Sequence, residues 1–543
     1  MSHKGKMLEL MIRNRILPAV YGENPIVPEN QFGFRTNCGT QEPILFSHLL
    51  TTSAKEYDVP LYKCYIDLAK AYDKVNRALL WRILTLYGLP EEYLTLIRAM
   101  HDGAQAKIRW KSNTSESFPL NRGLKQGSTI SPFLWNIFFG VLTTAAEREF
   151  AKEQECGVKI WFDMEGAITE QTVDYRPGHH LEAGIWMVCY ADDSILFAQS
   201  EASMQRMLDI FSNICMAFGM EISVTKTKVM RIRGALEDGI IVDRARREGS
   251  PTPRPRDVIL YINGERVEAV QQFNYLGCSE NEDNTMRTEV AKRQYKMISV
   301  FEYYAGTVLQ NYRLNVKARI CVFKTIIIPN GVYACNTWNL RAKEMDRLER
   351  TYTFLLRKTI GVNAKDYEEK GTTHHFDIAK QKGVTIYSLA CYIELYQLRY
   401  LWKLQRFGEE KLCAMIARGR ISSTKRGRKR GRPQVAFRHC LTEALEHFGV
   451  SYQEVREMPW KRWIAQLNGP GITLATDRVE ILADMHLQPD IVEDDTAVDV
   501  GTLPERRTNT NSSTGSEATP LVRGKSQPRL LTLIFMLFYL AIL

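Results

Sequence analysis

The chain lacks the marks of several protein classes. It has no Cys-x-x-Cys pair, and its 11 cysteines are odd in number and scattered. A disulfide framework and a four-cysteine zinc ribbon are both disfavoured, and a reducing compartment, nuclear or cytoplasmic, is the expectation. The apolar run at residues 530–543 is 14 residues, short of the roughly 20 that a spanning helix needs. It reads as sequence added beyond the folded domain, with weak membrane association through a tail anchor as the alternative. No secretory signal opens the chain, and no internal repeat is visible. What is present is globular: 543 residues, 45% hydrophobic and 25% charged, with room for about three to four domains. A formal charge of +10 favours a polyanionic partner.

Patterning gives a strand at 61–68 (LYKCYIDL), helices at 77–87 and 91–101, and strands at 106–110 and 117–120. A long apolar helix follows at 131–150, with Pro132 in its first turn. Strands at 185–190 and 194–198 flank Ala191-Asp192-Asp193, and an amphipathic helix spans 201–218. Short strands are expected at 258–262 and 272–276, and from 288 onward the pattern is mainly helical. The segment 155–184, with Cys156, His179 and His180, fits no zinc spacing and reads as an exposed loop. Residues 502–527 read as a disordered linker, preceded by a solvated acidic stretch at 490–499.

Two adjacent carboxylates at the tip of an apolar hairpin repel one another, and burial raises that cost. Such a pair is either a surface turn, for which aspartate is well suited, or the ligand set of a cation. Hard oxygen ligands at a strand tip suit Mg²⁺, which takes one or two carboxylates together with phosphates. Asp67, at the end of another strand, is by itself more often a helix cap than a ligand. Beside the hairpin pair it would complete a site for two ions clamping both oxygens of an in-line phosphoryl transfer. Residues 123–132 (GLKQGSTISP) form a loop whose glycines permit close backbone approach to a nucleotide or base, or else an ordinary loop before a helix.

Taken in order, DLAKAYDKV, GLKQGSTISP and YADD resemble the A, B and C motifs of reverse transcriptases of non-LTR (LINE-type) retrotransposons. QFGFR at 31–35 resembles the family's fingers motif, Gly219 with Lys226-Thr227-Lys228 its D motif, and FNYLG at 273–277 its primer grip. Residues 312–338 resemble the helical thumb, and the resemblance extends over about 7–468.

The resemblance implies an α+β fold with the right-hand polymerase palm. Its divisions would be partial fingers (1–60), palm with fingers elements (61–280), helical thumb and connection (281–410), a basic nucleic-acid-binding region (411–470), linker (471–529) and apolar tail (530–543). It implies RNA-directed DNA synthesis: a primer 3′-hydroxyl attacks the α-phosphate of a dNTP on an RNA template with a DNA primer. Asp67, Asp192 and Asp193 would be the catalytic and metal-binding residues, with two Mg²⁺ ions, or Mn²⁺ in their place. Tyr72 would be the gate against a 2′-hydroxyl, unless it is a core aromatic. Arg35 would contact template or triphosphate, and Lys226 the leaving phosphates. Gln126 and Gly127 would pack against nucleotide and template, and Tyr275, Leu276 and Gly277 would form the primer grip.

Departures from the family pattern are Cys38, Ser128 and Ile130, and a short segment before Gln31. That shortness suggests an N-terminally truncated fingers region, an open nucleotide pocket and an Arg35 without neighbours to hold it. Between 418 and 432, eight of fifteen residues are basic and none is acidic. The run includes Lys425, Arg426, Arg428, Lys429, Arg430 and Arg432. It suits phosphate binding without sequence preference, a nuclear address, or a solvated linker. The rival functions are an RNA-dependent RNA polymerase or group II intron-type enzyme, and a non-catalytic nucleic-acid-binding remnant. Tyr72 and Ala191 argue against the viral RNA polymerases, which usually carry Gly-Asp-Asp and no aromatic gate.

Overall fold

The computed structural model describes residues 3–21, 25–153, 155–162, 181–232, 258–362, 374–384, 386–406, 412–421 and 437–457. The basic cluster at 425–432, the acidic stretch, the linker, the apolar tail, His179 and His180 lie outside these residues. The described residues mix helices and sheets in an α+β organisation and form two compact units. One takes in Met1–Asn76 and Leu120–Leu487; the other includes Arg77–Pro119.

The smaller unit holds the helices Arg77–Leu86 and Glu91–His101 and two short exposed ribbons. The strand expected at 106–110 is broken into Gln105–Ala106 and Arg109–Trp110, which pair with different partners. Arg77 donates to the carbonyl of His101 at 3.0 Å, and the His101 ring meets Trp81 edge-on at 5.5 Å. These contacts tie the two helices together.

The larger unit is organised by a five-stranded sheet. Its order is Glu268–Ala269, Lys228–Ile232, Leu61–Ile66, Asp193–Ala198, Met187–Tyr190, antiparallel except for the short first edge. Leu61–Ile66 is central and buried along its whole length, Lys63 included, where the alternation of LYKCYIDL suggests one solvated face. Helices Ser131–Lys152 and Glu201–Ala217 pack against one another. Ser200 caps the second, accepting from the Ser203 amide at 3.1 Å.

The expected loop at 155–184 is corrected where it is described. Val158–Phe162 pairs antiparallel with Leu181–Ile185 and with Gly419–Ile421, and Cys156 is buried. VKIWF alternates, with Val158, Ile160 and Phe162 turned inward, so the apolar face pays for a sheet of its own. Leu181–Ile185 therefore belongs to a different sheet from Met187–Tyr190, and the single strand expected at 185–190 is divided at Trp186.

Between Arg287 and Arg406 the described residues are mainly helical around a core that includes Met297, Phe323, Trp338 and Tyr352. Val316–Thr337 is long and apolar enough by composition to cross a membrane, but half of its apolar window is buried among these helices.

Glu147, on Ser131–Lys152, accepts from Asn30 Nδ2 at 2.5 Å. Burial raises its pKa to about 7 from 4.5, with the Asn30 hydrogen bond opposing. The folded state thus holds this proton more tightly than the unfolded chain, so between pH 4.5 and about 7 the unfolded chain binds fewer protons. Its contribution to stability is present below 4.5 and is lost as pH rises through about 7. Glu147→Gln is expected to flatten that slope and raise the urea midpoint at pH 8. An unchanged pH profile would show that the carboxyl is not held neutral.

Candidate active site

Register alone brings the acids together. Ile66 lies opposite Ser194, so Asp67, the next residue, emerges beside Asp193. The pairing of Tyr190 with Asp193 closes a two-residue turn over Ala191 and Asp192. The backbone of Asp67 is held on both sides: its amide donates to Thr227 Oγ1 at 3.3 Å, and its carbonyl accepts from the Ser223 amide at 2.8 Å. The segment 221–227 therefore fixes Asp67 and delivers Lys226, whose Nζ is 3.3 Å from Asp67 Oδ1. Lys226 is 68% exposed and pairs with the acid.

The carboxylates feel one another. Asp192 is raised by burial and by the Asp67 charge, with Lys226 opposing. Asp193 is pushed up to about 6 by burial and then by the charges of Asp192 and Asp67. Its residue surface is exposed at the hairpin tip, so the neighbouring charges are the firmer cause. Among the described residues, no group of three or more His, Cys, Asp and Glu stands ready as a complete metal cage. The arrangement fits a divalent ion in another way. Asp67 Oδ1 is buried with the Lys226 ammonium 3.3 Å away, and the crowded negative charge of the three acids would be relieved further by a cation arriving with phosphate oxygens.

Tyr72 lies on the short helix Ala71–Lys74, entered through Lys70 at φ 52°. Its ring is half-buried and stacks on Trp135, centroids 5.3 Å apart. Its phenol is raised by burial and by the charge of Asp192. The loop after Leu120 is bound to this turn: Leu124 N donates to Tyr72 O at 2.8 Å and Gly123 N to Val75 O at 2.9 Å. A Cβ on Gly123 would stand 2.7 Å from Asp73 O, so this approach requires glycine. Gln126 and Gly127 are exposed on the same loop.

Sequence reasoning missed the anchor of that loop. Glu9, buried on the helix His3–Tyr21, accepts through Oε2 from Ser128 Oγ (2.9 Å), Thr129 N (2.7 Å) and Thr129 Oγ1 (3.0 Å). A lone acid in an otherwise basic helix segment was its one signal.

Arg35 is corrected in one respect, since it does have neighbours. Its guanidinium pairs with Glu29 at 3.0 Å, donates to the carbonyls of Pro28 and Gln31, and sits over the Tyr21 ring. Its side chain is 8% exposed, because the chain at 28–35 turns back on itself and aims carbonyls at the fork.

The residues expected to form the primer grip lie in the hairpin that pairs Gln272–Tyr275 with Cys278–Asn281. Tyr275 is buried beside Tyr65, and Leu276 and Gly277 both take positive φ. The Leu276 carbonyl accepts from Tyr333 OH at 2.7 Å, and that of Gly277 from Lys292 and Arg293 at 2.8 and 2.6 Å.

Acidic residues on adjacent strand ends, with a glycine loop and an aromatic ring packed beside them, define a site of the nucleotidyl-transfer class. A sequence model of the family "Reverse transcriptase (RNA-dependent DNA polymerase)" matches residues 1–279 of the 543, and the chain belongs to that family. It is 21% identical over 412 residues to the RNA-directed DNA polymerase from mobile element jockey of Drosophila funebris, covering 70% of this chain and 40% of that protein. It is 24% identical over 353 residues to a putative 115 kDa protein in the type-1 retrotransposable element R1DM of Drosophila melanogaster, covering 63% and 28%. The chain thus spans less than half the length of these relatives. Among solved structures, apo telomerase from Candida tropicalis aligns with 77% of this chain and 60% of its own at 10% identity and a TM-score of 0.34, too slight a likeness to carry weight.

Proposed function

We propose that the chain is an RNA-directed DNA polymerase of a mobile element, extending a DNA primer on an RNA template. The observation that carries this reading is the register that sets Asp67 beside the Asp192–Asp193 turn. Asp67 and Asp192 hold the divalent ions, two Mg²⁺ or Mn²⁺ in their place, and Asp193 adjoins them. When bound, such ions supply charge neutralisation at the transferring phosphoryl group and its two flanking oxygens. Lys226 leaves Asp67 to meet the leaving phosphates. Gln126 and Gly127, exposed on a loop fixed at both ends, face nucleotide and template. Tyr275, Leu276 and Gly277 support the primer end. The frame is a right-hand fold: fingers elements at 1–60, palm at 61–280, thumb at 281–410, and a basic nucleic-acid-binding region at 411–470.

Tyr72 makes this a DNA rather than an RNA polymerase. Its ring is fixed against Trp135 close to Asp192, where a ribose 2′-hydroxyl would need space. The test is the ratio of dNTP to rNTP incorporation. The wild-type chain is expected to prefer dNTPs, and Tyr72→Ala to lose about 1–3 kcal/mol of that preference, the scale of a pocket-fit difference. A wild-type chain that used rNTPs equally well would favour an RNA polymerase. An unchanged ratio in the variant would leave Tyr72 as a core aromatic only.

A further inference from the structure

The turn that presents Asp192 and Asp193 depends on a backbone conformation its own residue disfavours. Ala191 has φ +58°, in the left-handed region where glycine is at ease and a Cβ is not. The favoured two-residue hairpin turns need positive φ at the first central position, and asparagine, aspartate or glycine usually supplies it. Here an alanine does so, and the direction in which both carboxylates leave the hairpin follows from its φ.

One side chain holds it there. Gln31 is fully buried. Its Nε2 donates to the Ala191 carbonyl at 2.9 Å, and its Oε1 accepts from the Ala191 amide at 2.8 Å and from the Gly33 amide at 2.8 Å. A single carboxamide thus takes both polar backbone groups of the strained residue. Gln31 is itself fixed by an added edge on the catalytic hairpin: Phe32 N donates to Cys189 O, and Cys189 N to Asn30 O, each at 2.8 Å. Gly33 passes so close that a Cβ there would lie 2.3 Å from the Ala191 nitrogen. Asn136 on the core helix donates to the Gly33 carbonyl at 2.7 Å.

We propose that Gln31 is a positioning residue for the metal-binding carboxylates, acting as a clamp on the left-handed turn at Ala191. The proposal rests on the reading of Asp192 as a ligand. It explains why a carboxamide stands at 31: the site needs one donor and one acceptor on the same planar group. A carboxylate would oppose the Ala191 carbonyl and add charge behind Asp192.

The test pairs Gln31→Met, which keeps the volume and removes the hydrogen bonds, with Ala191→Gly, which adopts positive φ unaided. In primer extension by the full chain, Gln31→Met is expected to lower kcat about 100-fold, as small misplacements of reacting groups do, with KM for dNTP changed less than about threefold. Ala191→Gly alone is expected to stay near wild type, and in the double variant to recover at least about tenfold, the non-additivity of residues acting on one element. Two readouts need no turnover. Mn²⁺ binding followed by electron paramagnetic resonance is expected to weaken about tenfold in Gln31→Met, as for loss of a supporting hydrogen bond, and to return in the double variant. Amide hydrogen exchange of residues 187–196 is expected to quicken in Gln31→Met. If Gln31→Met does not fold, Gln31→Glu serves in the same comparison. Wild-type extension and exchange in the variant, or no recovery on adding Ala191→Gly, would overturn the clamp. A wild-type chain that extends nothing would instead overturn the polymerase reading, leaving the exchange and Mn²⁺ measurements to decide the clamp.

Discussion

Asp67→Asn and Asp192→Asn are each expected to bring primer extension down about 10²–10³-fold, the scale of removing a preorganised group that stabilises developing charge. Asparagine keeps the size and the backbone contacts. Asp67 would still be held by Thr227 and Ser223, and the strands that carry both residues are apolar and buried. The folded chain should therefore survive with an unchanged thermal midpoint, and nucleic-acid binding should persist. Only charge at the site is lost. In the Asp67 variant Lys226 also loses its partner at 3.3 Å, which should leave it freer rather than trapped. Rapid-quench extension by the purified variants checks this, and near-normal rates in both would remove these carboxylates from the chemistry.

The second large effect lies behind the site. Lys63 is buried within the strand that leads to Asp67, and Glu280 is buried on the hairpin carrying Tyr275. Glu280 Oε2 accepts from Lys63 Nζ at 2.8 Å, Ser47 Oγ at 2.9 Å and Tyr65 OH at 2.7 Å. Burial acts to raise the Glu280 carboxyl, but the charges of Lys63 and His48 and the hydrogen bonds from Lys63 and Tyr65 bring it below its ordinary value. Lys63 is lowered by burial, with Glu280 opposing. Three donors converge on one carboxylate oxygen, and they hold Glu280 charged opposite Lys63. Lys63→Met, which strands that carboxylate, should cost about 3–5 kcal/mol, whereas replacing both members with Lys63→Met and Glu280→Gln should recover most of the loss. Urea unfolding of the three proteins measures this. A single-variant loss under about 1 kcal/mol would show that water reaches the pair.

Much of the site was legible because its parts are local in sequence. The alternation and apolar content of 185–198 place two acids at a hairpin tip, and LYKCYIDL ends in Asp67. What joins them was not legible residue by residue. Gln31 and Ala191 are 160 positions apart, Glu9 and Ser128 are 119, and Lys63 and Glu280 are 217. Each pair rests on strand order and helix placement, which periodicity does not specify. Lys63 did leave a trace, as the one charge in a strand otherwise apolar or aromatic throughout. Arg35 was expected to lack neighbours because the segment before Gln31 is short, while the fold turns the carbonyls of Pro28 and Gln31 onto it. The segment 155–184 misled because Cys156, His179 and His180 fit no zinc spacing, while the strand rests on the short alternation of VKIWF.

The central claim is that this carboxylate site carries RNA-directed DNA synthesis. Primer extension by the purified 543-residue chain, on an RNA template annealed to a DNA primer with four dNTPs, measures it directly. Template-directed products that appear with Mg²⁺ or Mn²⁺, vanish on chelation and are absent in Asp192→Asn are the predicted result. A chain that binds the primer–template but adds no nucleotide with either ion, or one whose synthesis survives Asp192→Asn, would contradict it.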